Sequence, residues 1–296
     1  MNRRTSLTVA TAVVLLALAV PGSAVGAEEN LCFGRAATLT GSGTITGTAG
    51  DDVIIGSAGA DIVDGGAGND LICGLGGDDS LAGGLGNDQV DGGEGGDLVR
   101  GDLISTRTPV EGGGNDIVFG GPGNDRVGGD SIAFGASASG GGNDIVYGGD
   151  GDDHMVGDSR GGIDASGGGN DILDGGAGDD QMTGDSSAES RATGSGNDVL
   201  VGGPGKDDLI GDSNSGRVAH GRDEPNTGTP APRPPRPAPA PGAATPAPAA
   251  TPGEAVPAAA EGGNDVLDGG ADAADTCDGK DGADIALACE TATNIP

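Results

Sequence analysis

At 296 residues the chain is long enough for one or two domains, yet glycine supplies 65 positions, aromatic residues 1%, and tryptophan none. So few large side chains exclude a conventional globular core, and the glycines lack the strict every-third spacing of collagen. A net charge of −32, mostly from aspartate, sets the chain against nucleic acid and anionic lipid, and bound cations would relieve its self-repulsion.

Residues 1–27 read as a signal peptide. Arg3 and Arg4 form a basic start, Leu7 to Val20 an apolar run, and Val25-Gly26-Ala27 a small-residue cleavage site. The apolar run is short for a membrane anchor, and the general secretory route fits it better than the twin-arginine one. No second hydrophobic segment follows, so the expected mature chain is extracellular and has no membrane span. Residues 28–46 read as an N-terminal cap. The four cysteines, Cys32, Cys73, Cys277 and Cys289, fit an oxidising compartment. Three pairings are open; joining Cys32 to Cys73 and Cys277 to Cys289 keeps each bridge at one end of the chain. Their spacings are not those of a zinc site, and no histidine lies near them in sequence.

From Gly47 to Arg100 the chain repeats every nine residues: GTAGDDVII, GSAGADIVD, GGAGNDLIC, GLGGDDSLA, GGLGNDQVD, GGEGGDLVR. Each unit has glycine at positions one and four, aspartate at six and an apolar residue at eight. Fifteen units along the chain share the aspartate: Asp52, Asp61, Asp70, Asp79, Asp88, Asp97, Asp116, Asp125, Asp144, Asp153, Asp171, Asp180, Asp198, Asp207 and Asp265. All fifteen carry Ile, Val, Leu or Met two residues later, as in Ile54, Val63, Val146 and Leu209.

Positions one to six must turn the chain, which glycine does at positive φ without steric cost. Positions seven to nine are extended, with position eight pointing inward and its neighbours outward. Two units then make one coil of eighteen residues, and coils stack about 4.8 Å apart by parallel pairing. The core becomes a narrow aliphatic column, which accounts for the missing aromatics. Stacking also places one aspartate turn on the next, where like charges repel unless a cation lies between them.

This pattern resembles the GGxGxDxUx repeat of hemolysin-type (RTX) calcium-binding proteins, over roughly residues 38–212 and 262–290. The resemblance implies an all-β, right-handed parallel β-roll, or β-solenoid, with several Ca²⁺ ions held between adjacent turns. Glycine-rich turns supply carbonyls and position six supplies carboxylates, the oxygen ligands calcium takes. The fifteen aspartates are the expected metal ligands. An EF-hand is excluded, because no acidic loop has glycine at six and glutamate at twelve.

Beyond Arg100 the units come in pairs, each followed by Gly-Asp and a variable stretch: Gly101-Asp102, Gly129-Asp130, Gly157-Asp158, Gly184-Asp185 and Gly211-Asp212. Either an eighteen-residue coil extrudes a loop or the coil gains a third side. Position seven is Ile117, Ile145, Ile172 and Val199 in first units but Arg126, His154, Gln181 and Asp208 in second units. Like must stack on like, which favours loops extruded from one edge, a face such folds often use for binding. The calcium-binding roll is thus expected over 47–221. Residues 222–261 form a Pro/Ala-rich, disordered insertion, read either as an expanded loop of the roll or as a linker to a small C-terminal cap holding Cys277 and Cys289. Residues 262–296 hold a final repeat and a C-terminal cap.

Gly-Asp-Ser recurs at 129–131, 157–159, 184–186 and 211–213. A serine nucleophile needs a positioned base, and the two histidines, His154 and His220, cannot serve four serines. A turn in which the hydroxyl bonds local backbone is the simpler reading. No catalytic residues and no enzyme activity are expected. The expected role is a secreted structural or adhesive module whose partners are calcium and cell-surface or matrix components. The alternative is a non-catalytic accessory to a secreted hydrolase or toxin.

Overall fold

The computed structural model describes residues 31–212 and, beyond them, 214–215, 219–220, 265–270, 275–279, 284–289 and 291–293. The expected signal segment 1–27 and the Pro/Ala-rich stretch 222–261 lie outside the described residues.

The described chain is a parallel β-roll. Successive nonapeptide units lay their strands alternately into two ten-stranded parallel sheets. Sheet I runs from Leu39–Thr40 through Val53–Ser57, Leu71–Gly76 and Gln89–Glu94 to Val266–Asp268 and Ile285–Leu287. Sheet II runs from Thr44–Thr46 through Ile62–Ala67, Ser80–Leu85 and Leu98–Arg100 to Thr276–Asp278 and Thr291–Thr293. Register follows the repeat, with Ile54 beside Ile72 and Ile72 beside Val90.

Position eight builds the core. Ile54, Val63, Ile72, Leu81, Val90, Val99 and their successors to Leu267 and Cys277 form one buried column between the sheets. Parallel pairing puts each of these side chains beside its equivalent one coil away, so a side chain of constant size fills the column. In the unopened turns from Gly65 onward, positions two and four include positive-φ sites such as Gly84 at 114° and Gly86 at 143°. Leu75 occupies position two at φ 81°, a conformation that costs a side-chain-bearing residue about 1–2 kcal/mol.

After Arg100 the coil grows. The variable stretches do leave from one edge, between a sheet II strand and the next sheet I strand, but as stacked strands and not as extruded loops. Ile104–Ser105, Ile132–Ala133, Arg160–Gly161, Ser187–Ala188 and Asn214–Ser215 make a third parallel sheet. Val110–Glu111, Ala138–Ser139, Asp164–Ser166, Arg191–Thr193 and Ala219–His220 make a fourth. The physical reason is the near-constant repeat length: partner strands lie 28 or 27 residues apart, so each insertion meets a copy of itself one coil away and pairs with it, as Ala138 does with Ala165. The coil has therefore gained two sides. A small second core of Ala133, Ala136 and Ala138, with Val110 against it, lies between them.

Burial on sheet II tracks these strands. At position nine Thr46 and Asp64 are exposed, whereas Arg100, Gly128, Val156 and Thr183 are buried. The sheet I row Ile117, Ile145, Ile172 and Val199 stays half-buried, stacking like on like as Ile117 does on Ile145.

Both ends are stapled. Cys32 bonds Cys73, and with Val53, Ile55 and Leu71 it forms a small cluster on the outer face of sheet I. Phe33 continues outward onto Phe119 and Tyr147, whose rings stack 5.0 Å apart. At the other end Cys277, the last member of the core column, bonds Cys289.

Candidate metal centre

Every position-six aspartate sits at the mouth of a strand and is buried. The fifteen expected residues divide between two edges, where each set forms a continuous file. One file precedes sheet I: Asp52, Asp70, Asp88, Asp116, Asp144, Asp171, Asp198 and Asp265. The other precedes sheet II: Asp61, Asp79, Asp97, Asp125, Asp153, Asp180 and Asp207. In both, the aspartate N–H donates to Oδ1 of the aspartate one coil later, at 2.7 Å from Asp70 to Asp88 and 2.8 Å from Asp79 to Asp97.

That bond occupies one carboxylate oxygen and turns the other into the aspartate's own turn. In the first two turns the position-two residue satisfies Oδ2: Thr48 donates its N–H and hydroxyl to Asp52, and Ser57 donates both to Asp61. In later turns it does not. Oδ2 of Asp70, Asp79, Asp88, Asp97, Asp116, Asp144, Asp153, Asp171, Asp180, Asp198 and Asp265 is buried without a hydrogen-bond partner. A buried, uncompensated acceptor of this kind is costly.

The space it faces is bounded by carbonyls. A Cβ placed on Gly92 would lie 2.5 Å from both Asp97 Oδ2 and the carbonyl oxygen of Gly120 in the next coil. The same cradle recurs at Gly120, between Asp125 Oδ2 at 2.5 Å and the Gly148 carbonyl at 2.7 Å. Position one must therefore be glycine, and its absent side chain leaves carboxylate and carbonyl oxygens converging. This all-oxygen donor set is the chemistry a hard cation such as calcium selects.

Burial pushes these carboxyls up. Asp79 rises to about 6, Asp88, Asp97 and Asp180 to about 7, Asp153 to about 8 and Asp116 to about 9. Desolvation dominates each rise; the N–H from the preceding coil opposes it, and neighbouring carboxylates add to it. Asp171, Asp198 and Asp265 are raised well above the usual carboxylate value, again first by desolvation.

Two members of the files escape the repeat pattern. Asp265 N–H donates to Asp284 Oδ1 and Asp207 N–H to Asp275 Oδ1, which extends both edges by one coil. Their inward residues are Ala286 and Cys277, beside Leu267 and Leu209, so an aliphatic test at position eight passes them over. The glycine-to-aspartate spacing in Gly279-Lys280-Asp281-Gly282-Ala283-Asp284 was the signal available.

A third row comes from the Gly-Asp steps. Asp102, Asp130, Asp158, Asp185 and Asp212 are all buried. No N–H or hydroxyl donor reaches either oxygen of Asp102 or Asp130, and these two carboxyls interact directly with each other. Together with the sheet I file they form three groups of carboxylates whose ligand atoms lie within 4.8 Å of one another: Asp102, Asp116 and Asp130; Asp130, Asp144 and Asp158; Asp158, Asp171 and Asp185. Desolvation raises Asp102 to about 6 and Asp144 to about 7, and raises Asp130 and Asp158 well beyond the carboxylate range with help from adjacent aspartates. The serines that follow are buried on backbone. Ser131 Oγ accepts from Leu103 N–H, while the hydroxyls of Ser159 and Ser186 donate to the carbonyls of Gly140 and Gly167.

Among the described residues no helix is long and apolar enough to cross a membrane. Comparison with curated proteins returns no match. The family model for the RTX calcium-binding nonapeptide repeat matches residues 38–72, 74–103, 112–131, 138–159, 165–188 and 192–218, more than half of the chain. Its repeats bind Ca²⁺, and the stacked aspartates fit several such ions. With the turn geometry and this match together, the chain belongs to the RTX calcium-binding nonapeptide repeat family.

Proposed function

We propose that the chain is a secreted, non-catalytic structural or adhesive module that folds outside the cell when calcium fills its turns. The ligands are the fifteen position-six aspartates, joined by Asp275 and Asp284. One observation carries this reading: in turn after turn Oδ1 is committed to the next coil while the buried Oδ2 has no hydrogen-bond partner. A cation between coils joins the orphaned oxygens to the glycine carbonyls facing them.

Because the sites exist only when coils stack, binding energy becomes folding energy. Inside a cell, where free calcium is scarce, the acidic chain stays extended; outside, extracellular calcium modules fill at about 10⁻⁴–10⁻³ M. The signal segment 1–27 and the two disulfides support export. Non-catalytic use is supported by the recurring serines, whose hydroxyls are engaged with backbone. The cap 28–46, the roll 47–221 and the final repeat 262–296 read as one stack, since Val199–Val201 pairs directly with Val266–Asp268. The third and fourth sheets are the contact surface for matrix or cell-surface components.

Isothermal titration of the chain with calcium and with magnesium tests the reading. The expected result is many calcium ions per chain near millimolar affinity and no comparable magnesium binding. Absence of calcium binding at about 10 mM, well above the range for such modules, contradicts it.

A further inference from the structure

The insertions of the larger coils do not sit beside the glycine turn; they open it. Gly101 holds the position-one relation to Asp116 that Gly83 holds to Asp88, since a Cβ on either glycine would meet the Oδ2 of that aspartate. Gly114 stacks against Gly86, the position-four glycine one coil earlier. Residues 102–113 therefore replace positions two and three, and the backbone those positions supply to an ordinary turn is gone. In its place stands a carboxylate, Asp102, with Asp130, Asp158 and Asp185 at the same point in the next three coils.

Resting on the calcium reading above, we infer that these Gly-Asp carboxylates close the opened turns around a single file of calcium ions, with Asp130 and Asp158 each bridging two ions. Three features carry this. The groups share members: Asp130 belongs to the first and second, Asp158 to the second and third. Their ligand atoms lie within 4.8 Å of one another, and oxygens on opposite sides of a calcium bonded at about 2.3–2.6 Å stand roughly 4.6–5.2 Å apart. The carboxylates are fully buried and no hydrogen-bond donor reaches either oxygen of Asp102 or Asp130, so, apart from the single buried guanidinium of Arg100 acting on Asp130, their charge is left uncompensated.

Charge balance fixes the number of ions. Each enlarged coil adds one position-six aspartate and one Gly-Asp aspartate to the file, two negative charges per coil. One divalent ion per coil neutralises them. Because neighbouring ions share a carboxylate, filling one site orders a ligand of the next, and loading spreads from coil to coil. The buried serines hold the geometry: a Cβ on Gly112 would lie 2.8 Å from Ser131 Oγ and 2.9 Å from Asp102, so the entry and exit of each insertion press together at the file.

The experiment counts bound calcium per chain by equilibrium dialysis with elemental analysis, on the wild-type chain and on Asp130→Ala, Asp158→Ala and the double variant. A shared file predicts the loss of two ions from each single variant and three, not four, from the double. An unchanged count overturns the file, and so does the loss of one ion per single variant, which would mean unshared carboxylates. A wild-type chain that binds no calcium overturns the functional reading itself, so the two failures are distinct. Asp130→Asn keeps the side-chain volume and guards against misfolding; near the wild-type midpoint it should lose the same two ions while circular dichroism at saturating calcium matches wild type.

Discussion

The two edges of the roll carry the same aspartate at position six and handle the chain between strands in opposite ways. From sheet I to sheet II the six-residue turn is kept from Gly56 to Asp207, and its carboxyls rise only to about 6 to 8 at Asp79, Asp97, Asp153 and Asp180. From sheet II to sheet I the turn is opened after Gly101, more carboxylates are added, and the carboxyls run from about 7 at Asp144 to about 9 at Asp116, with Asp171, Asp198 and Asp265 raised well above the usual range. The kept turn offers the ion a mixture of carbonyl and carboxylate; the opened turn replaces neutral ligands with charged ones in a drier place. A repeat can thus lengthen one side of its coil and still hold cations there, provided it supplies a carboxylate for the backbone it removes. The cost is a stronger demand for the cation.

The largest expected effect follows from that demand. For both edges the folded carboxyls sit above the roughly 3.9 of an unfolded aspartate. Folding in chelator is then favoured below about pH 4, and that stability is lost as pH rises through the folded values, from about 6 at Asp79 to about 9 at Asp116. We expect the chain in chelator to gain β structure on acidification and lose it toward pH 8, and calcium to remove this dependence. Hydrogen exchange in chelator near pH 8 should show the amide of Asp116, on the opened edge, less protected than that of Asp97 on the kept edge, because the penalty at Asp97 stops growing near 7 while that at Asp116 grows toward about 9. Equal protection would erase the contrast between the edges.

A smaller effect separates the main core from the second one. Leu173→Ala in the buried column should cost about 2–5 kcal/mol by calcium-saturated denaturant unfolding. Ala138→Gly, in the small cluster between the third and fourth sheets, should cost about 1 kcal/mol. Equal costs would mean that the added sides carry as much of the fold as the original two. Smaller still, Gly92→Ala puts a methyl between Asp97 and the next coil and should cost about 1–3 kcal/mol together with weakened calcium binding. Gly50→Ala, at a position four with nothing within 4 Å, should stay within about 0.5 kcal/mol.

The column and both files were legible because each depends on a single residue recurring at a fixed interval, with Ile54, Ile72 and Val90 in one place and Asp52, Asp70 and Asp88 in another. The added sides were not, for the strands are two or three residues long and show no alternation. Val110–Glu111 looks like loop until it is set beside Ala138–Ser139. Their clue was the repeat length itself and the alanine that returns at Ala138, Ala165 and Ala192. The Gly-Asp row was visible in sequence and read as a turn, because nothing in one copy shows that Asp102 and Asp130 converge on Asp116. Asp284 went unread because Ala286 stands where an aliphatic residue was required.

Calcium-coupled folding is tested most directly by far-UV circular dichroism of the chain at neutral pH during a calcium titration, with magnesium as the control. The account predicts a weak β signal in chelator and a cooperative, calcium-specific rise centred near about 10⁻⁴–10⁻³ M. Full β content in chelator, or an unstructured spectrum at several times that concentration, would contradict it.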